Sequence, residues 1–211
     1  MTKLFYDISR SLSPRTGTWP GDVSFSLRQT FSQQQEDSVN VGCIQMSIHT
    51  GTHIDAPYHF EPEGERCHQL DLTAFWGPAQ VVRVSRHQGA LEIEDLAGVD
   101  LRLAQRLLLH TPASQFPDEV FPSSIVYPSA GLAAALAEAG IVLLGTDAPS
   151  MDALDDPRLP GHKILYRYGI SILEGLNLNG VPDGLYELCA MPLKLHDADG
   201  SPVRAVLRCM E

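Results

Sequence analysis

Short apolar runs separated by Gly and Pro dominate the chain, and their period is mostly two. Residues 3–8 make the first such run. Val23, Phe25, Leu27 and Phe31 alternate with mostly polar neighbours, the pattern of a strand with one buried face. Over 41–48, Ile44, Met46 and Ile48 share a face in the same way. Runs at 79–84, 106–110, 141–145, 170–173, 185–191 and 203–208 read as further strands. Helical signals are fewer. Ser129 stands where an N-cap belongs before an Ala- and Leu-rich stretch that Gly140 stops. Residues 91–97, and 162–168 after Pro160, are shorter helical candidates. Neither a repeat nor a linker interrupts the pattern, so residues 1–211 are expected to form one β-rich α/β domain.

Composition narrows the partners. Fifteen Lys and Arg against 26 Asp and Glu give a net charge of −11, which argues against a nucleic-acid or anionic-membrane surface. Apolar runs fall far short of the roughly 20 residues that a membrane helix needs. The first ten residues carry Asp7 and Arg10 and no apolar signal core, so a cytoplasmic location is expected. The four cysteines form no C-x-x-C pair, which suits a reduced compartment. Cys43 and Cys189 lie in apolar runs and are expected in the core.

The chemistry concentrates in His49-Thr50-Gly51-Thr52-His53-Ile54-Asp55-Ala56-Pro57-Tyr58-His59. Three of the eight histidines fall in this window, where uniform spacing would place fewer than one. His49, His53, Asp55 and His59 share parity, so an extended chain aims them to one side. Fully extended, however, His49 and His53 would lie ~13 Å apart, too far for two ligands of one ion. The chain must tighten, and Gly51 is the residue that permits it. A strand end curling into a loop fits better than a helix, which Gly51 and Pro57 oppose. The mixed nitrogen and oxygen donors suit Zn²⁺, with Mn²⁺ as the other candidate. A closed zinc site that only braces the fold usually has four ligands, often Cys. Two His and one Asp with His59 to spare leave an open position, which favours catalysis.

A second region lies far along the chain. Asp147-Ala148-Pro149-Ser150 follows the apolar run 141–144, and His162 follows Pro160-Gly161. Glu174 ends an apolar run that should be a buried strand. A carboxylate there needs a partner or a metal. If His162 and Glu174 point to the first cluster, Asp55 could bridge two metals.

These residues carry a resemblance. The window 49–59 is similar to the H-x-G-T-H-x-D-x-P-x-H signature of the metal-dependent cyclase family, which includes bacterial kynurenine formamidases. Asp7-Ile8-Ser9, Trp19-Pro20-Gly21-Asp22, Gly145-Thr146-Asp147-Ala148-Pro149-Ser150, Ile172-Leu173-Glu174-Gly175-Leu176 and 200–207 look like family blocks in family order. The resemblance implies a swivelling β/β/α domain and a homodimer. It also implies two zinc ions, one on His49, His53 and Asp55, the other on Asp55, His162 and Glu174. His59 becomes the acid/base residue, and Trp19 a face for an aryl ring. Tyr58, Phe60 and Tyr168 are lesser candidates for that face. The chain departs from the family in carrying His162-Lys163 where formamidases often have a His-His pair. The implied substrate is an aryl formamide, N-formyl-L-kynurenine, hydrolysed with metal-activated water. Two other functions compete: a hydrolase of the same family opening isatin or another cyclic amide, and a non-catalytic metal-binding protein.

Overall fold

The computed structural model describes residues 4–210. Along the chain run β1 (Phe5–Asp7), β2 (Ser26–Phe31), β3 (Val41–Gln45), β4 (His53–Asp55), β5 (Trp76–Arg83), β6 (Gly89–Leu91), β7 (Arg106–His110) and β8 (Val126–Pro128). They are followed by α1 (Ala130–Glu138), β9 (Leu143–Thr146), α2 (Pro160–Arg167), β10 (Ser171–Glu174), β11 (Gly184–Cys189), β12 (Gly200–Pro202) and β13 (Val206–Cys209). Nine strands form one mixed sheet in the order β1-β13-β11-β5-β7-β9-β10-β4-β12. Its centre, β5-β7-β9-β10, is parallel, and antiparallel strands extend it on both sides. The β-rich α/β expectation holds.

The central strands show why they lie in the middle. Every residue of β7 is buried, and its apolar centre, Leu107 to Leu109, reads as a parallel strand covered on both faces, with Arg106 and His110 buried at its ends. Leu107 and Leu109 pack on one side with Leu132 and Leu136 of α1, Leu165 of α2, Leu144 and Ile172. Leu108 packs on the other side with Ile54, Leu143, Leu173, Leu188 and Leu207. The strand period of two thus builds two cores from one sheet. Ser129 caps α1 by accepting from Leu132 N, and Gly140 ends it at φ +82°. Among the described residues no helix is long and apolar enough to cross a membrane.

Several expectations need correction. Part of the first predicted run, Lys3, lies outside the described residues. The alternation over 23–31 does not bury a strand face. Strands β2 and β3 form a separate two-stranded ribbon, with Leu27 61% and Phe31 53% exposed; of the four alternating residues, Phe25 is the buried one. Cys43 sits on that ribbon and is exposed, and Cys189 is only partly buried. Residues 91–97 form no α-helix but a single 3₁₀ turn, Ile93–Leu96, held by a reciprocal cap between Glu92 and Asp95. The helix expected at 162–168 begins earlier, at Pro160.

Candidate active site

Strand pairing assembles the first part of the site. In antiparallel β4 and β10, Glu174 lies opposite His53 and Ile172 opposite Asp55. His53, Asp55, Ile172 and Glu174 therefore share a sheet face, while Ile54 and Leu173 point into the opposite core. Ile172 packs in the core that contains Leu165 of α2, so α2 covers the face bearing the polar residues and brings in His162.

The tightening expected before β4 is present. Gly51 has φ +73°, and the His49 and His53 ring centroids are 5.0 Å apart. Gly175, at φ +64°, passes so close that a Cβ on it would lie 2.1 Å from Gly51 O. Glycine at position 175 thus lets the chain after β10 cross against the His49 turn. Thr52 Oγ1 donates to Gly175 O and pins the crossing.

All five expected donors converge. His49 Nδ1 lies 3.0 Å and His53 Nε2 3.5 Å from Asp55 Oδ1. His162 Nε2 lies 3.3 Å from both Asp55 Oδ2 and Glu174 Oε1, and Glu174 Oε2 lies 3.5 Å from His53 Nε2. The two oxygens of Asp55 thus face two different groups of donors. His53, Asp55, His162 and Glu174 are buried, yet Asp55 Oδ2 and Glu174 Oε1 receive no hydrogen bond. His162 Nε2 pairs with both at 3.3 Å. Buried carboxylate oxygens left in that state are costly unless a cation meets them, so the donor set fits a divalent metal.

Electrostatics within the cluster follow from burial and pairing. Burial alone would lower His49, but Asp199 and Asp55 outweigh it and push the imidazole up to about 10. His162 is likewise opposed by burial and driven well above its ordinary value by Asp152, Asp55 and Glu174. Burial works to raise Asp55, yet His162, His49 and His53 hold it well below the usual carboxylate range. Against burial and the nearby charge of Asp55, His162 and His53 also lower Glu174. Without a metal, the cluster balances its two carboxylates with protonated imidazoles.

His59 follows β4 in the 3₁₀ turn Pro57–His59. Its ring is tilted against that of His49 at 4.0 Å, and its Nδ1 is 3.5 Å from Asp199 Oδ2. Donor atoms of His49, Asp55 and His59 also lie within 4.8 Å of one another.

A cavity of about 490 Å³ opens over the cluster, lined by His49, His53, His59, His162 and Glu174 at its base and by Trp19 and Phe121 among its walls. Trp19 meets Phe121 edge to face at 5.4 Å. Arg10, also lining it, donates to Ala113 O, Phe116 O and Asp147 O and pairs with Asp118, tying down the wall that carries Phe121. Asp147 sits beside it, pushed up to about 6 by burial although Thr111 and Ser114 donate to it. Tyr58, Phe60 and Tyr168 line no part of this cavity.

Sequence reasoning missed two carboxylates. Asp199 accepts from His49 Nε2 at 3.0 Å, and buried Asp152 accepts from His162 Nδ1 at 2.6 Å. The available signals were positional: Asp199 stands just before the block 200–207, and Asp152 just after the block 145–150.

A sheet that gathers three imidazoles and two carboxylates beneath an aromatic-walled cavity defines the class of metal-dependent hydrolases. The Cyclase family model matches residues 6–153, and the chain belongs to that family. It is 47% identical to a kynurenine formamidase of Bacillus cereus over 98% of both chains. Among solved structures it is similar to a predicted metal-dependent hydrolase from Bacillus stearothermophilus (TM-score 0.81, 28% identity, 96% of this chain and 97% of the other). Isatin hydrolase A from Labrenzia aggregata is also similar (TM-score 0.81, 25% identity, 98% and 94%).

Proposed function

We propose that residues 1–211 act as a single metal-dependent hydrolase domain that converts N-formyl-L-kynurenine to L-kynurenine and formate. The observation that carries this reading is the pair of donor groups sharing Asp55 at the base of the cavity, in a chain 47% identical to a formamidase over 98% of its length. His49, His53 and Asp55 would hold one Zn²⁺, and Asp55, His162 and Glu174 would hold a second. A metal held there would supply Lewis-acid polarisation of an amide carbonyl and a bound water of pKa near neutrality. The protein's own groups do the rest.

Trp19 offers its indole face to the aryl ring and sets the formamide over the cluster. His59 takes the proton of the attacking water and returns one to the arylamine nitrogen as the C–N bond breaks. The water oxygen stays on the formyl carbon, which leaves as formate. Asp199 beside His59 Nδ1 leaves Nε2 as the atom that exchanges the proton. Metal-defined protein incubated with N-formylkynurenine should release the free arylamine, followed by its absorbance. No release with zinc-loaded protein refutes the reading.

A second reading, cyclic-amide opening, is favoured by the likeness to isatin hydrolase A. Turnover of isatin with none of N-formylkynurenine selects it. The enzyme works as a homodimer in the cytoplasm, with no nucleic-acid or membrane partner.

A further inference from the structure

We propose that Asp152, which belongs to neither ligand set, decides whether the second metal centre fills, because it holds His162 in the ring orientation that presents Nε2 to Asp55 and Glu174. This deepens the two-centre reading above and rests on it.

Three contacts define the device. Asp152 Oδ2 accepts from His162 Nδ1 at 2.6 Å and from His162 N at 3.1 Å; Oδ1 accepts from Gly161 N at 2.6 Å. An ionised carboxylate only accepts, so Nδ1 carries the hydrogen and Nε2 of the neutral ring keeps the lone pair. Nε2 is the atom 3.3 Å from Asp55 Oδ2 and Glu174 Oε1. A metal-ligating imidazole is commonly fixed in this way by a carboxylate on its other nitrogen.

The same carboxylate anchors the helix that carries the ring. At the start of α2 the N-cap residue is Leu159, with φ +50° and no side-chain cap, and Pro160 brings no N–H. Asp152 supplies the missing acceptor from outside the helix and takes the Gly161 and His162 amides. Only glycine admits this approach: a Cβ at position 161 would lie 2.2 Å from Met151 O and 2.8 Å from Asp152 Oδ1.

The two centres therefore differ in construction. His53 and Asp55 stand on one strand, and His53 Nδ1 donates to Gly51 O close by in the chain. The second set draws on β4, β10 and α2, and α2 is its one element outside the sheet. A shift of His162 falls on the second centre alone.

Asp152 is a positioning residue, and metal affinity tests it. Metal-free full-length chain is titrated with Zn²⁺ in a calorimeter as wild type, Asp152→Asn and Asp152→Ser. Asn cannot accept from Gly161 N and His162 Nδ1 together. Ser retains a capping acceptor for the α2 amides but no carboxylate for the ring. The wild type should take up two equivalents. Both variants should bind the first as the wild type does and the second 10- to 100-fold more weakly. A second equivalent bound at wild-type affinity in Asp152→Asn overturns the proposal. So does a loss in Asp152→Asn that Asp152→Ser restores, which traces the effect to capping, or an equal weakening of both equivalents. Where Asp152→Asn does not fold, Asp152→Ser carries the same comparison. A wild type that binds one equivalent refutes the two-centre reading itself, before any substitution is made.

Discussion

Loading the metal site should expel protons, and their number is set by the imidazoles that hold them in the metal-free protein. His49 is pushed up to about 10, so at pH 7 roughly a thousand protonated rings stand for each neutral one. A cation that needs the neutral ring must displace that proton. The displacement costs about 4 kcal/mol at pH 7 and about 1.4 kcal/mol less with each pH unit above it. His162, driven well above its ordinary value, carries a second proton. Filling both centres at pH 7 should therefore release about two protons, and the product of the two association constants should rise about 100-fold from pH 7 to 8. Calorimetry in two buffers of unlike ionisation heat counts the protons directly. His49→Gln should lower the count from about two to about one. Zero protons released, or a count unmoved by His49→Gln, refutes the charge balance described for the cluster. Stability follows the same linkage. A raised imidazole pKa stabilises the fold fully below about 6.5, and that contribution is lost as pH rises through about 10. The melting temperature of metal-free protein should fall over this window, and that of zinc-loaded protein should not share this component.

Other expected outcomes follow from the same geometry. His59→Ala should keep its metal, by elemental analysis, and lose roughly 10²- to 10⁴-fold in rate, less for formanilides with electron-withdrawing rings; loss of metal would instead make His59 a ligand, as its closeness to His49 and Asp55 allows. Asp55→Ala should lose both metals, since its two oxygens face both donor groups, and wild-type metal content in that variant sinks the bridging role. Light scattering at micromolar concentration should show a dimer, and a fully active monomer contradicts the assembly.

The fold was legible where burial is two-sided or a cap is local. Residues 107–109 are apolar at the centre of the sheet because both faces of β7 are covered, and Ser129 and Gly140 bound α1 through contacts a few residues long. The ribbon was misread because alternation reports only that two faces differ. Val23, Phe25, Leu27 and Phe31 satisfy the period without saying whether a core lies beneath them, and Leu27 and Phe31 have none. Strands β6, β8 and β12, three residues each, are too short for any period to emerge.

The candidate site divides along the same line. His49, His53, Asp55 and His59 were visible because one turn at Gly51 suffices to bring them together, and a cluster that local survives without knowledge of topology. Glu174 was visible for the opposite reason: a carboxylate closing the buried run of β10 violates the apolar pattern, and the violation marks chemistry. Asp199 violates nothing. It stands in a polar turn 150 residues from His49, where a carboxylate is ordinary, and its meaning comes only from the pairing of β12 with β4. Asp152 is concealed in the same way by an acidic stretch, although its partner His162 is only ten residues away. Donors that break a local rule announce themselves in a sequence; the groups that aim those donors obey every local rule and become apparent only when the sheet order is known.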